Sequence, residues 1–293
     1  RQFVDGLHLF VEMPDDKFEP RIADQRIGYF SEKVTDLSTY DSNNARDLIN
    51  RWRLVKKDPD AELSEPEQPL VYWVENSTPE EIRPFVVKGI EAWNKAFEKA
   101  GFKNAIVAKI QPDDAEWDAG DVRYNVVRWA STPSPRYSGY GPSVANPRTG
   151  EIIAADIVQE FNAIKRGYTY RKLWGYTEEN DPLEQWIVSL TMHEVGHTLG
   201  LRHNFKSSWI YDAKEVHDVS ITGDNHIGSV MDYDPINLAP EGTPQGNFFP
   251  TGPGFYDIWA IEFGYTPSFT DEEREKLLSK STQPEYILSL IHI

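Results

Sequence analysis

No cysteine occurs among the 293 residues. That excludes a disulfide scaffold, thiolate-ligated zinc, a thiol nucleophile and latency through a cysteine–metal switch. Cations are also scarce: Lys and Arg total 30 against 47 Asp and Glu, a net charge of −17. So acidic a chain is not expected to have nucleic acid as its main partner, because a phosphate backbone attracts a basic face. No apolar run approaches the roughly 20 residues that span a bilayer. No Gly-x-Ser-x-Gly is present, so a serine nucleophile has no support. What the chain does have is aromatic weight, 9 Trp, 14 Tyr and 14 Phe. That is enough apolar surface to pack a core, in one large domain or two small ones.

Arg1 is preceded by neither an initiator Met nor a signal peptide, so the chain is expected to begin inside a longer protein. Leu288–Ile293 has the sequence obtained by translating a common transposase sequencing adapter. It is expected to carry no fold information, the alternative being a short natural strand. Residues 1–69 are charged and punctuated, and Lys57–Pro69 is rich in Asp, Glu and Pro. This segment reads as a lead-in: the tail of a preceding domain and a linker. Leu70–Val74 then reads as a strand. Thr78, Pro79 and Glu81 form a helix start, and one helix is expected from there to Gly101. Strands are expected at Ala105–Ile110, Val122–Trp129 and Glu151–Val158, with a Pro- and Gly-rich loop at Pro133–Pro147. Strands separated by a helix and followed by more helices indicate an α/β or α+β fold with a mixed sheet.

The next helix is expected over Leu183–Leu199, capped by Asp181 with Pro182 and Glu184 in its first turn and stopped by Gly200. Trp186, Ile187, Leu190 and Val195 would form its buried stripe. It carries His193-Glu194-Val195-Gly196-His197. Four residues advance a helix by about 6 Å and 400°, so both imidazoles leave one face at the spacing that a single zinc ion accepts. Glu194 lies about 100° round the helix, able to act on water as a general base without being a ligand. Gly200 lets the chain turn sharply, so His203 can return as third ligand and leave a fourth position open. A closed structural site would fill all four.

The full His-Glu-x-x-His-x-x-Gly-x-x-His run resembles the extended zinc signature of the metzincin metalloproteases. Met231, 28 residues after His203, stands where those proteins have their Met turn, within Ser229–Tyr233. Tyr233, two residues on, matches the Tyr that approaches the metal in astacin-like and serralysin-like members; the resemblance implies an oxyanion or zinc contact. Tyr256–Tyr265 looks like the last metzincin helix. From about Trp52 to Tyr265 the chain is similar to one bacterial family, large zinc-dependent metzincin-like proteins long catalogued as domains of unknown function. Ser64–Pro66, Gly89–Phe102, Pro147–Ile152 and His203–Ser208 carry that likeness.

The resemblance implies a metzincin-like zincin fold: a twisted, mainly parallel sheet on two long helices, with a mostly helical or irregular C-terminal subdomain. It implies a catalytic domain over residues 70–266, the start of a further region at 267–287, one Zn2+ per chain and zinc-dependent endopeptidase activity on a protein or peptide substrate. It also implies export from a Gram-negative bacterium, to the periplasm, the outer membrane or the medium. The rival reading is a non-catalytic binding or envelope-assembly module that keeps zinc for structure, which an intact Glu194 disfavours.

Other candidates are weaker. His217 and His226 sit in a polar loop and are expected to be solvated rather than ligands. Asp212, Asp218, Asp224 and Asp232 lack the spacing of a Ca2+ loop. Gly139-Tyr-Gly141 precedes no helix, so a phosphate loop is not expected. Glu151–Val158 is expected to be the edge strand above the cleft, able to pair with an extended peptide. Ile236 and Leu238 are expected to wall the pocket for the residue after the scissile bond, with packing under the last helix as the alternative.

Overall fold

The computed structural model describes residues 10–289, apart from 16, 36, 39 and 41–43. A hairpin comes first: β1 (Ser31–Thr35) pairs antiparallel with β2 (Ala45–Ile49). In β3 (Leu70–Val74) alternation buries Leu70, Tyr72 and Val74, as a strand's two-residue period requires.

The single helix expected from Thr78 is two. Thr78 makes no cap; Pro79 O accepts from Ile82 N and Arg83 N, which closes a separate turn. The helix α1 (Arg83–Glu91) starts beside a second proline, Pro84, whose missing N–H suits the first turn. After a tightened turn at Ala92–Trp93, α2 (Asn94–Lys99) follows. The Trp93 indole donates across the core to Met192 O at 3.1 Å.

Next come β4 (Ile106–Ile110), β5 (Asn125–Ala130), β6 (Gly139–Tyr140), β7 (Ser143–Ala145) and β8 (Ile152–Glu160). The main sheet has the order β4-β3-β5-β8-β6. Its first four strands are parallel; β6 and β7 both pair antiparallel with β8. This overturns the edge-strand expectation. The segment expected as a loop folds back along β8 and covers it, so the edge is β6 and β7. The turn at Asn146–Gly150 joins β7 to β8, and no local pattern within β8 records that both of its sides are paired.

A helix without a sequence signal comes next, α3 (Phe161–Trp174). Its N-cap Glu160 makes no capping bond, and Gly167 interrupts it. That glycine has a packing reason: a Cβ there would lie 2.4 Å from Leu183 Cδ1. Leu183 belongs to α4 (Pro182–Thr198), in which only Glu184, Trp186 and His197 escape burial; the expected one-sided stripe is a helix enclosed nearly all round. The remaining helices are α5 (Val219–Thr222), α6 (Phe255–Tyr265) and α7 (Asp271–Leu278).

One apolar core joins these parts. Ile27, Tyr29, Ile49, Trp52 and Leu54 belong to the same buried cluster as Tyr72, Phe97, Val195 and Trp259. The expected lead-in is thus physically continuous with the chain beyond residue 70. Ser289 O accepts from Phe205 N at 2.7 Å, and Leu288 packs near Gly28, so these two residues dock on the fold; residues 290–293 of the expected adapter stretch lie outside the described residues. Among the described residues no helix is long and apolar enough to cross a membrane.

Candidate metal centre

Asp181 caps α4 by accepting from Leu183 N at 3.0 Å, and Arg171 holds the same carboxylate. The helix ends in paired backbone bonds, Leu201 N to Gly196 O and Gly200 N to His197 O, both 3.0 Å. This is a glycine-dependent stop, with Gly200 at φ 99°. The outgoing chain is gripped by the N-terminal segment: Phe30 N donates to Gly200 O and Arg202 N to Gly28 O, both 2.8 Å. Held extended, it returns His203 to the helix.

The three imidazoles converge. His193 Nε2 and His197 Nε2 each lie 3.2 Å from His203 Nε2. Nitrogens about 2.05 Å from one tetrahedral ion would be separated by roughly 3.3 Å. The opposite nitrogens are occupied. His193 Nδ1 lies 2.7 Å from Val230 O and His197 Nδ1 2.9 Å from Leu201 O. A carbonyl only accepts, so the proton sits on Nδ1 and the Nε2 lone pairs face inward. Lone pairs at this separation repel unless a cation lies between them, so the donor set fits a divalent metal. It is the one such three-residue group among the described residues. Burial, aided by the neighbouring imidazoles, holds His193 well below the usual histidine range; burial also lowers His197.

Beneath this cluster lies Met231, fully buried, its sulfur so close to α4 that a Cβ on Gly196 would meet it at 2.4 Å. Residues 176–287 match the family model described as Met-zincin. Residues 5–57 match a second model, described as a domain of unknown function. No curated protein matches the chain. Met-zincins as a class are zinc metalloproteases, and the mixed α/β fold agrees with that class.

The turn at Met231 has an anchor that the sequence reading missed. Asp257 on α6 accepts from Val230 N and Gly254 N, both 2.8 Å, and from Ser229 Oγ. Because Val230 O meets His193, Asp257 fixes the turn that orients the His193 ring. Its signal was available: Asp257 stands at N3 of α6, where a carboxylate can accept from the N–H of the N-cap residue, here Gly254.

Glu194 is buried, and burial pushes its carboxyl up to about 8. The missed feature beside it is Gly139-Tyr-Gly141. A Cβ on Gly139 would lie 3.0 Å from Glu194 Oε1, and one on Gly141 2.4 Å from Glu194 O. Both glycines are there because edge strand β6 rides against α4. Tyr233 is 60% exposed, its ring centroid 4.4 Å from that of His203 and 5.4 Å from that of His193. Burial and the Glu194 carboxylate raise its phenol.

A cavity of about 420 Å3 opens beside His193 and Glu194, walled by Trp186, Leu190, Val230, Tyr233 and Asp234. Neither Ile236 nor Leu238 lines it, which corrects the expected wall. Leu238 instead borders a separate hollow with Trp174 and Tyr176, because the chain turns away after Asp234. His217 and His226 are also not solvated. Both are buried, since the polar loop folds back into the body; His226 Nε2 is 3.7 Å from Asp234 Oδ2. Burial and nearby His217 push His226 down to about 4, and burial pushes Asp234 up to about 7. The four aspartates weighed for Ca2+ do separate work. Asp212 caps a turn, Asp218 caps α5, Asp224 pairs with Lys95 and Asp232 accepts from Ser207 and Ser208.

Proposed function

We propose that the chain is a zinc-dependent endopeptidase that holds one Zn2+ through His193, His197 and His203. The observation that carries this reading is the inward convergence of three Nε2 atoms, two of them oriented by backbone carbonyls, with a buried carboxylate one residue from the first. Zinc bound there would polarise a peptide carbonyl and acidify water. Glu194 takes the proton from the attacking water and delivers it to the leaving amine. Its enclosure between α4 and β6 keeps the carboxylate poorly solvated and therefore basic. The Tyr233 hydroxyl donates a hydrogen bond to the oxyanion as it develops. An extended substrate pairs with the edge at Gly139–Tyr140 through backbone hydrogen bonds. Export, implied by resemblance alone, belongs to the same proposal and is read by cell fractionation.

The test is Glu194→Gln. The variant should keep stoichiometric zinc and lose turnover of an unstructured protein by about 10²–10⁴, the usual worth of a general base. His203→Ala should lose most of the metal. Parent protein that keeps its zinc but cleaves nothing, or a Gln variant that cleaves at the parent rate, would overturn the reading.

A further inference from the structure

We propose that the cavity beside the metal centre selects a substrate carboxylate, through Arg136 and Arg166. This rests on the peptidase reading and adds to it a substrate class.

The cavity runs along one face of α4. Leu190 and Trp186 precede His193 by three and seven residues, the spacing of one helix face. At 1.5 Å per residue the Trp186 end lies roughly 10 Å from the ligand, room for a long side chain or a short chain terminus. Arg136, on the approach to β6, and Arg166, on α3, both line it. Two elements far apart in sequence thus bring guanidinium groups to one cleft in a chain of net charge −17.

Neither side chain has a carboxylate partner among the described residues. Both are exposed, whereas the half-buried Arg53 is held by Glu151 and Asp15 and Arg171 by Asp181. The Arg166 guanidinium lies 5.7 Å from the Trp186 ring centroid. Resting on an indole steadies its plane and leaves its N–H edges free to receive two oxygens.

Three acids share the cavity, and two of them, Asp232 and Asp234, face elsewhere. Glu194 stands at the metal end. Asp232 accepts from Ser207 Oγ, Ser208 N and Tyr233 N. Asp234 Oδ2 is enclosed, its nearest partner His226 Nε2 at 3.7 Å. Away from the metal end, the free charge offered to a ligand is therefore positive. A carboxylate gains charge-assisted, bidentate hydrogen bonds there, whereas a Lys or Arg of the substrate meets like charge.

Two sources supply that chemistry: an acidic side chain just after the scissile bond, or the substrate's own C-terminus. The experiment uses four quenched fluorescent peptides, with Glu or Gln after the cut, each ending in a free carboxylate or an amide. They are assayed for kcat/KM with zinc-loaded parent, Arg136→Gln, Arg166→Gln and the double variant. Binding of the same peptides to Glu194→Gln protein, with and without the two Arg changes, is read by anisotropy.

The expected result is a preference of roughly 10- to 100-fold for Glu over Gln, the scale of one charge-assisted pair partly open to water. It should appear in both readouts and collapse in the double variant. A preference for free carboxylate over amide that collapses in the same way supports the inference with the C-terminus as the source. Equal treatment of all four peptides by the parent, or a preference that survives in the double variant, overturns it. If no peptide is cut, the peptidase reading fails, while the binding arm still decides the carboxylate claim.

Discussion

Replacing Gly200 with Ala probes how the metal centre depends on the N-terminal segment. Gly200 has φ 99°, a conformation that costs an L side chain about 1–2 kcal/mol. A second penalty comes from packing. A Cβ at this position would lie 2.0 Å from Asn50 O and 3.0 Å from Tyr29 Cδ1. The Asn50 carbonyl cannot easily withdraw. Its own N–H donates to Phe30 O at 2.7 Å, and Phe30 N donates to Gly200 O at 2.8 Å, so the obstacle and the glycine are tied to one another. Forcing a methyl into such a contact typically costs a further 1–3 kcal/mol. The total expected is roughly 2–5 kcal/mol, a large part of an ordinary domain's stability. Gly242→Ala is the control. Its φ is 83°, but nothing lies within 4 Å of a Cβ there, so it carries the backbone cost alone. Because Gly200 aims the chain that returns His203, zinc affinity should also fall by about 10–100-fold, the usual consequence of losing support behind a ligand. Urea unfolding gives the stability difference, and competition with a chromophoric chelator gives the affinity. If Gly200→Ala is no worse than Gly242→Ala in both measurements, the N-terminal segment does not brace the metal centre.

Asp257→Asn should cost about 2–3 kcal/mol, since the carboxylate serves two backbone donors and a hydroxyl, and it should weaken zinc binding by freeing Val230; denaturation and metal titration check both. Tyr233→Phe should leave stability and zinc content unchanged and lower kcat by about 10²–10³; an unaltered kcat removes Tyr233 from the chemistry. Chelator-treated protein should be most stable near about pH 6.5. Glu194, raised from 4.5 to about 8, contributes stability that is complete at low pH and lost as pH rises through 8. His193 and His197, lowered below 6.5, leave the unfolded chain binding more protons, so stability is lost as pH falls below 6.5. Denaturation at pH 5.5, 6.5 and 8.5 tests this; the alkaline decline should flatten in Glu194→Gln, and an identical curve there would refute the assignment.

The metal-binding helix could be read from residues alone because its information is local. Asp181, Pro182 and Gly200 mark its ends, and the His193–His197 spacing is set by helix geometry whatever surrounds it. Met231 and Tyr233 were found by their place in a resemblance, which records position without contacts. Asp257 was legible as part of a helix start but not as an anchor, since its partners at Ser229 and Val230 come from another stretch of chain. Helix α3 escaped because it has no capping bond and carries Gly167, whose reason is the nearness of Leu183.

The remaining features depend on which distant segments meet. β8 reads as a good strand in any position; only the return of β6 and β7 makes it interior and gives the glycines at 139 and 141 their place against Glu194. His217 and His226 sit among polar neighbours in sequence and yet are buried, because burial is a property of the folded loop. Arg136 and Arg166 are unremarkable surface cations until α3 and the β6 approach bring them to one cavity. Helix period and capping act over a few residues and are written into the chain order. Parallel strand pairing, burial and the assembly of a pocket arise between residues tens of positions apart, and their energies exist only once the core has closed around them.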